Sequence, residues 1–376
     1  MLEPLDLARR LDRGEALQVV DIRAPALVAQ SRIRFGAALD FRALRGSDLY
    51  ALPSLEPLDL DPHRPVAVVC GHGNSSARAT AFLRARGFEA YSLTGGMARW
   101  ETIYLPRPLA PTPSIEHVVQ LDRVGKGCLS YVLVSDGAAV VVDPGRHVER
   151  YDTLLADLAA SPVAVIDTHM HADYLSGARR AAERWGVPYF LHPADAASPY
   201  DGRPGRFAYE PLAEGRRLTF GRATLRVECV PGHTLGSVAL VADDGFVLTG
   251  DFLFVSSVGR PDLGGAAQAW TGLLWRSLDR ARRTWPGERL VLPAHYATEV
   301  ERRADRSVGA RFDVILGTNE PLRVPDEAAF LRWVMRHNAP PPDAYRTIKL
   351  ANLGLVTLSD ADVEALEFGP NQCAVG

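Results

Sequence analysis

Hydrophobic positions in the first hundred residues come in short blocks spaced by helical stretches. "LQVVDI" (17–22) and "VAVVC" (66–70) are continuous apolar runs bounded by polar residues, the pattern of short buried strands. The second runs into "GHGNSSARATAFLRARG", where small polar residues cap an Ala/Arg-rich helix that Gly87 ends. "EAYSLTGGMARW" then predicts a strand, a glycine turn and a last helix. Strands alternating with helices indicate a small parallel α/β sheet.

Farther on, the pattern opens β-rich with "SYVLVSD" and "AAVVVDPG", followed by a helix at "RYDTLLADLAA" and a strand at "VAVIDTHMH". Helix–strand units continue through "VPYFLH", and "RATLRVECVPGH" with "SVALVADDGFVLTGD" reads as a hairpin-like pair. From about residue 300 the periodicity is mostly helical, and the prolines of "NAPPPDAYRTIKLANLG" are expected to pin a loop on the domain. Between the two regimes lies "LPRPLAPTP", with four prolines in nine positions. It reads as a semi-rigid linker. The expected organisation is therefore residues 1–104, a linker 105–113, and residues 114–376. No internal repeat or low-complexity tract is visible.

Composition narrows the function classes. A 376-residue chain, 47% hydrophobic and 23% charged, can fill more than one core. A net charge of -3 offers no long-range pull toward nucleic acid or anionic membranes. The basic residues are nearly all arginine, with Lys126 and Lys349 as the two lysines. No apolar run approaches a membrane span, and the acidic, amphipathic start lacks a signal-peptide pattern. Cys70, Cys128, Cys229 and Cys373 are scattered, without disulfide-framework or zinc-ribbon spacing. The expected compartment is a reducing cytoplasm.

The chemistry gathers where strands end. "DTHMHAD" carries His169, His171 and Asp173; "VPGHTLGS" carries His233; "LTGDFLF" carries Asp251; "LVLPAHYAT" carries His295. Each is a strand followed by a tight polar turn, so their tips can converge at one edge of an α/β scaffold. His192 in "FLHPAD" is at most an outer partner. In order and together, "THMHAD", "PGHT", "TGD" and "PAH" resemble the metallo-β-lactamase superfamily from about residue 114 onward. That resemblance implies an αββα sandwich with metal at the top of its two sheets.

Tyr174 stands where two-metal hydrolases of that superfamily carry another histidine. A neutral phenol, with a pKa near 10, is a poor ligand. Two histidines and a carboxylate remain, His169, His233 and Asp251, a set suited to one non-haem iron(II) per chain; zinc is the other metal expected on purification. The run "VGRPDL" is similar to the persulfide dioxygenases (sulfur dioxygenases) of the superfamily, which implies Arg260 beside a thiol substrate and Asp262 orienting it. His171, Asp173, Tyr174 and His295 fall to the outer shell, orienting ligands or bound water. The chain departs from that family in having Tyr174 for a histidine and "PAHYAT" for a "PAHDY" run.

Upstream, Cys70 sits in "VVCGHGNSSARA", at a strand end with a helix just beyond, where backbone N–H groups form an anion nest. A thiolate there is a competent nucleophile or sulfur carrier. Cys128, Cys229 and Cys373 lack such surroundings and read as core residues. "VVDIRAP", "RIRFGAALDF", the loop Cys70–Ser75 and "GGMARW" resemble the rhodanese domain, which implies a cysteine that accepts sulfur as a persulfide. Gly71 and Ser75 stand where many such loops have arginines; Arg78 and His72 are the nearby cationic groups.

Together these readings predict a two-domain sulfur-metabolism enzyme. It would oxidise a thiol persulfide, such as glutathione persulfide, with O2 to sulfite and free thiol, coupled through Cys70 to sulfur transfer and thiosulfate. No nucleic-acid or membrane partner is expected, and the resemblance is compatible with a homodimer. Two rivals stay open: a zinc thioester hydrolase of the glyoxalase II kind, and a sulfur carrier with a degenerate metal domain.

Overall fold

The computed structural model describes residues 1–375, and the chain divides into two compact units. The first comprises Met1–Leu105 with two short stretches from farther along, Arg123–Gly127 and Phe368–Pro370. Its centre is a four-stranded sheet in the order Asp40–Ala43, Gln18–Asp21, Val66–Val69, Ala90–Ser92, and every neighbouring pair is parallel. Alternate strand residues serve opposite faces, as the period of two requires. Val19 and Val69 pack with Leu7, Leu11, Met97 and Trp100; Val20 and Val68 pack with Leu49, Ala79 and Leu83. A sheet buried on both faces reads in sequence as an unbroken apolar run, which is why "QVVD" and "VAVV" show no alternation.

The second unit is a sandwich. One sheet has seven strands, in the order Glu210–Pro211, Tyr189–Leu191, Ser161–Ile166, Ala138–Val142, Cys128–Ser135, His117–Arg123, Tyr104–Leu109. The other has six, in the order Arg217–Phe220, Ala223–Cys229, Val238–Ala242, Phe246–Gly250, Leu290–Pro293, Ala310–Arg311. Tyr131, Val140 and Ile166 of one sheet meet Leu225, Leu240, Leu248 and Leu292 of the other in a shared core. On the outer faces, Val148 and Ala181 of two helices cover Val165 and Leu191, while Leu274, Leu278 and Phe330 cover Val241, Val247 and Val291. The layers therefore run helix, sheet, sheet, helix.

One expectation needs correction. Residues 105–113, read as linker, begin with strand Tyr104–Leu109 at the end of the seven-stranded sheet. Leu105, Arg107 and Leu109 point inward while Pro106 and Pro108 face out. A terminal strand tolerates proline because one row of its N–H groups has no partner strand to serve.

Candidate metal centre

Four loops follow strands Ser161–Ile166, Ala223–Cys229, Phe246–Gly250 and Leu290–Pro293. They bring His169, His233, Asp251 and His295 together, each at most 1% exposed. His169 Nε2 lies 3.5 Å and His233 Nε2 3.4 Å from Asp251 Oδ2. None of these three atoms has a hydrogen-bond partner. Buried polar atoms without partners are costly, and three converging on one point are the signature of ligands aimed at a cation.

Their other edges are fixed. His233 Nδ1 donates to the Arg260 carbonyl at 3.0 Å, leaving the Nε2 lone pair inward. Thr168 gives its hydroxyl proton to Asp143 Oδ2 (2.9 Å), so it accepts from His169 Nδ1 (3.0 Å) and selects the same tautomer. Burial holds the His233 imidazole well below the usual histidine range, against the pull of Asp251. Burial alone would raise the Asp251 carboxyl, but His295 and His169 hold it well below the carboxylate range. Two imidazoles and one carboxylate fit a divalent metal ion. The backbone must also come close: a Cβ on Gly259 would stand 1.8 Å from the Asp251 carbonyl oxygen and 2.9 Å from His233 Nδ1.

The outer residues form a second ring. His295 Nδ1 meets Asp251 Oδ1 at 2.5 Å, and its Nε2 meets Asp173 Oδ2 at 2.9 Å. His171 Nε2 is held by Asp143 Oδ1 (3.2 Å) and Tyr174 Oη (3.0 Å), and its Nδ1 has no partner. The buried Tyr174 donates to the Asp143 carbonyl at 3.1 Å and stacks on His171. Burial, reinforced by Asp143 and Asp167, pushes its phenol well above the usual range, so it stays neutral.

Three outer residues escape a reading of the sequence. Cys128 and Cys373, taken as core residues, border the centre. Cys128 Sγ is 3.2 Å from His295 Nε2, and Cys373 groups with Asp251 and His295. Asp195 accepts from Met170 N (2.8 Å), Gly236 N (2.9 Å) and Thr234 Oγ1 (2.7 Å), clamping the His169 loop to the His233 loop. Its neighbour His192 only caps the local turn, accepting from Ala194 N. In "FLHPAD" the residue that matters is the aspartate, and the one visible signal was its position just after a strand.

Arg260 is placed differently from the expectation of a substrate-facing group. Its guanidinium forks onto Asp262 (2.7 and 2.9 Å) and donates to the carbonyls of Gln372 and Ala339. The side chain is 2% exposed, and four of its N–H donors are committed to the protein. Its contribution to the centre is the main-chain carbonyl that orients His233.

Comparison with known proteins agrees with this geometry. Residues 123–315 match the family described as metallo-beta-lactamase superfamily, just over half of the chain. The chain belongs to the metallo-beta-lactamase superfamily. Residues 3–103 match the rhodanese-like domain. A probable metallo-hydrolase, YqgX, of Bacillus subtilis is 32% identical over 179 residues, 44% of this chain and 83% of that protein. A hydroxyacylglutathione hydrolase of Xanthomonas euvesicatoria is 34% identical over 167 residues, 44% of this chain and 60% of its own length. Among solved structures, ETHE1 from Myxococcus xanthus superposes with a TM-score of 0.55 at 23% identity, covering 64% of this chain and 99% of that one. At that identity the likeness concerns the fold. No helix among the described residues is long and apolar enough to cross a membrane.

In the rhodanese-like unit, Cys70 follows strand Val66–Val69 and is 5% exposed. Its sulfur accepts from Gly73 N (3.1 Å) and Ser76 N (3.4 Å), the nest expected at the start of helix Asn74–Arg84. Ser76 Oγ, 3.3 Å from that sulfur, is tied to Ser92 Oγ at 2.7 Å. Gly96 lets helix Gly96–Trp100 pass directly under the loop, since a Cβ there would stand 2.2 Å from the Cys70 carbonyl oxygen. Arg78 lies over the Tyr50 ring, 4.7 Å from its centroid.

Proposed function

We propose that this protein oxidises a low-molecular-weight thiol persulfide, such as glutathione persulfide, to sulfite and free thiol, using dioxygen at one iron(II). His169, His233 and Asp251 would hold the ion. The observation that carries this reading is the convergence of two imidazole nitrogens and one carboxylate oxygen, all buried and unpartnered, while Tyr174 turns to Asp143 and His171. Two imidazoles and one carboxylate suit iron(II) and leave coordination positions open. Iron(II) there would supply the redox chemistry that joins dioxygen to the terminal sulfur. The overall change is RSSH + O2 + H2O to RSH, sulfite and two protons; the sulfane sulfur is oxidised and dioxygen reduced.

The chain's own groups position and exclude. Asp195 keeps the two histidine loops in register, and His295 holds Asp251 with one oxygen turned inward. A cavity of about 250 Å³ borders His295, with Phe254, Trp333 and His337 in its walls, and would take the body of a small thiol. At Cys70, attack on a sulfane sulfur moves it onto the cysteine and releases thiolate; attack by sulfite on the cysteine persulfide then gives thiosulfate and restores the thiol. The Gly73 and Ser76 amides stabilise the sulfur anion in both steps.

The test is oxygen uptake by anaerobically purified, iron(II)-reconstituted protein given glutathione persulfide, with sulfite followed in parallel. Uptake matched by sulfite is expected; iron bound with no uptake from that or another thiol persulfide refutes the reading. A Cys70→Ser protein should keep oxygen uptake and lose thiosulfate formation.

A second reading, thioester hydrolysis at zinc, draws on His171 Nδ1. This buried nitrogen has no partner, and its ring centre lies 4.2 Å from that of His169. A third imidazole would favour zinc. Turnover of a glutathione thioester by the zinc-loaded protein, with no uptake by the iron form, selects it.

A further inference from the structure

Helix Ala344–Asn352 lies beyond the stretch that matches the superfamily, yet it presses one face onto the metal loops. Asn352 donates to the carbonyls of His171 (3.0 Å) and Tyr174 (2.9 Å). Tyr345 Oη accepts from Gln372 N at 2.6 Å, next to Cys373. Between them on the same face sits Lys349, one turn from each. It is 2% exposed. Among the described residues its ammonium has neither a hydrogen bond nor an ion pair; the Asp195 carboxylate supports its charge from a distance, the Cys373 thiol is held neutral by burial, and the lysine's own charge helps to hold the His233 imidazole down. Burying a cation without a partner is among the costliest placements a side chain can have.

Composition sharpens the point. Of 42 basic residues two are lysine, and both are buried. A chain that otherwise builds its cations from arginine places here a compact ammonium with three rotatable donors, which suits a small anion better than a planar fork does.

We propose that Lys349 is the anion-binding group of the metal centre, taking the terminal sulfur of a persulfide anion and the oxygens of the sulfite that replaces it. The identity of the anion rests on the persulfide reading above; the existence of an anion site does not. Helix Ala344–Asn352 thus brings the centre a substrate contact from outside the superfamily core.

The experiment is calorimetric titration of sulfite into the full-length zinc-loaded protein, which does not turn over, for wild type, Lys349→Met and Lys349→Gln. Lys349→Met is expected to weaken sulfite binding at least about tenfold, the loss of a charge-assisted hydrogen bond. Its metal content should be unchanged and its melting temperature equal or higher, because an unpaired buried charge has gone. Lys349→Gln, which keeps a donor but not the charge, should bind sulfite with intermediate affinity and covers the case in which the methionine variant fails to fold. Wild-type affinity in either variant, or no sulfite binding by the wild type, overturns the proposal. Loss of sulfite binding in the variants together with a wild type that takes up no oxygen would keep the anion site and discard the dioxygenase reading.

Discussion

Asp195→Asn is the sharpest probe of how the centre is held. One carboxylate oxygen accepts from Gly236 N, the other from both Met170 N and Thr234 Oγ1. An amide can supply only one of those oxygens. Whichever way the asparagine turns, its NH2 faces at least one buried donor, leaving that donor unsatisfied at about 1–3 kcal/mol. The remaining bonds lose their charge assistance, so the total destabilisation should be about 2–4 kcal/mol. No repacking relieves it, since Gly236 already lies so close that a Cβ there would stand 2.7 Å from Asp195 Cγ. Because the clamp spans both histidine loops, metal affinity should also fall by about 10–100-fold. Urea unfolding of the metal-free protein measures the first effect, and zinc competition with a chromophoric chelator the second. A variant less stable by the stated amount, yet binding zinc within about threefold of wild type, would refute the clamp.

Tyr174→Phe should keep one metal per chain and lose about 1–3 kcal/mol of stability, from the unsatisfied Asp143 carbonyl, while His171 Nε2 keeps Asp143 Oδ1; loss of the metal would instead make Tyr174 a ligand. Gly259→Ala should abolish metal binding as measured by elemental analysis, because its methyl group collides with the backbone that carries Asp251 and with His233. In the rhodanese-like unit Glu101 is buried against Ser31 Oγ at 2.6 Å, and burial raises its carboxyl above 4.5 despite Arg123 and Lys126. A raised carboxyl holds its proton more tightly when folded, so its contribution is full below 4.5 and is lost as pH rises through the folded value. Melting curves between about pH 4 and 8 should show that loss in the wild type and a flatter profile in Glu101→Gln.

The convergence of His169, His233 and Asp251 was legible because each follows an apolar strand in a short polar turn, and such turns have little else to do than present side chains. The buried strands of both units were legible as unbroken valine runs. Asp195, Cys128, Cys373 and Lys349 were not, because what makes them matter is proximity across long sequence separations: Cys128 meets His295 from 167 residues away. A lysine inside an amphipathic helix looks the same whether its tip reaches solvent or is buried, as that of Lys349 is. Arg260 shows the reverse limit, since "GRPD" identifies a paired arginine but not which partners consume its donors.

The strand at Tyr104–Leu109 bears on how such a fused chain can be taken apart. A fragment beginning at residue 114 would lack the terminal strand of its larger sheet and expose the hydrogen-bonding edge of His117–Arg123, an invitation to aggregate. A fragment ending at residue 104 would lack Arg123–Gly127 and Phe368–Pro370, which complete the first unit. It would also leave Glu101 without the two cations that offset its burial. The two proposed activities are therefore better separated by point substitutions at Cys70 and His233 than by scission, because no single peptide bond divides the chain into two whole parts.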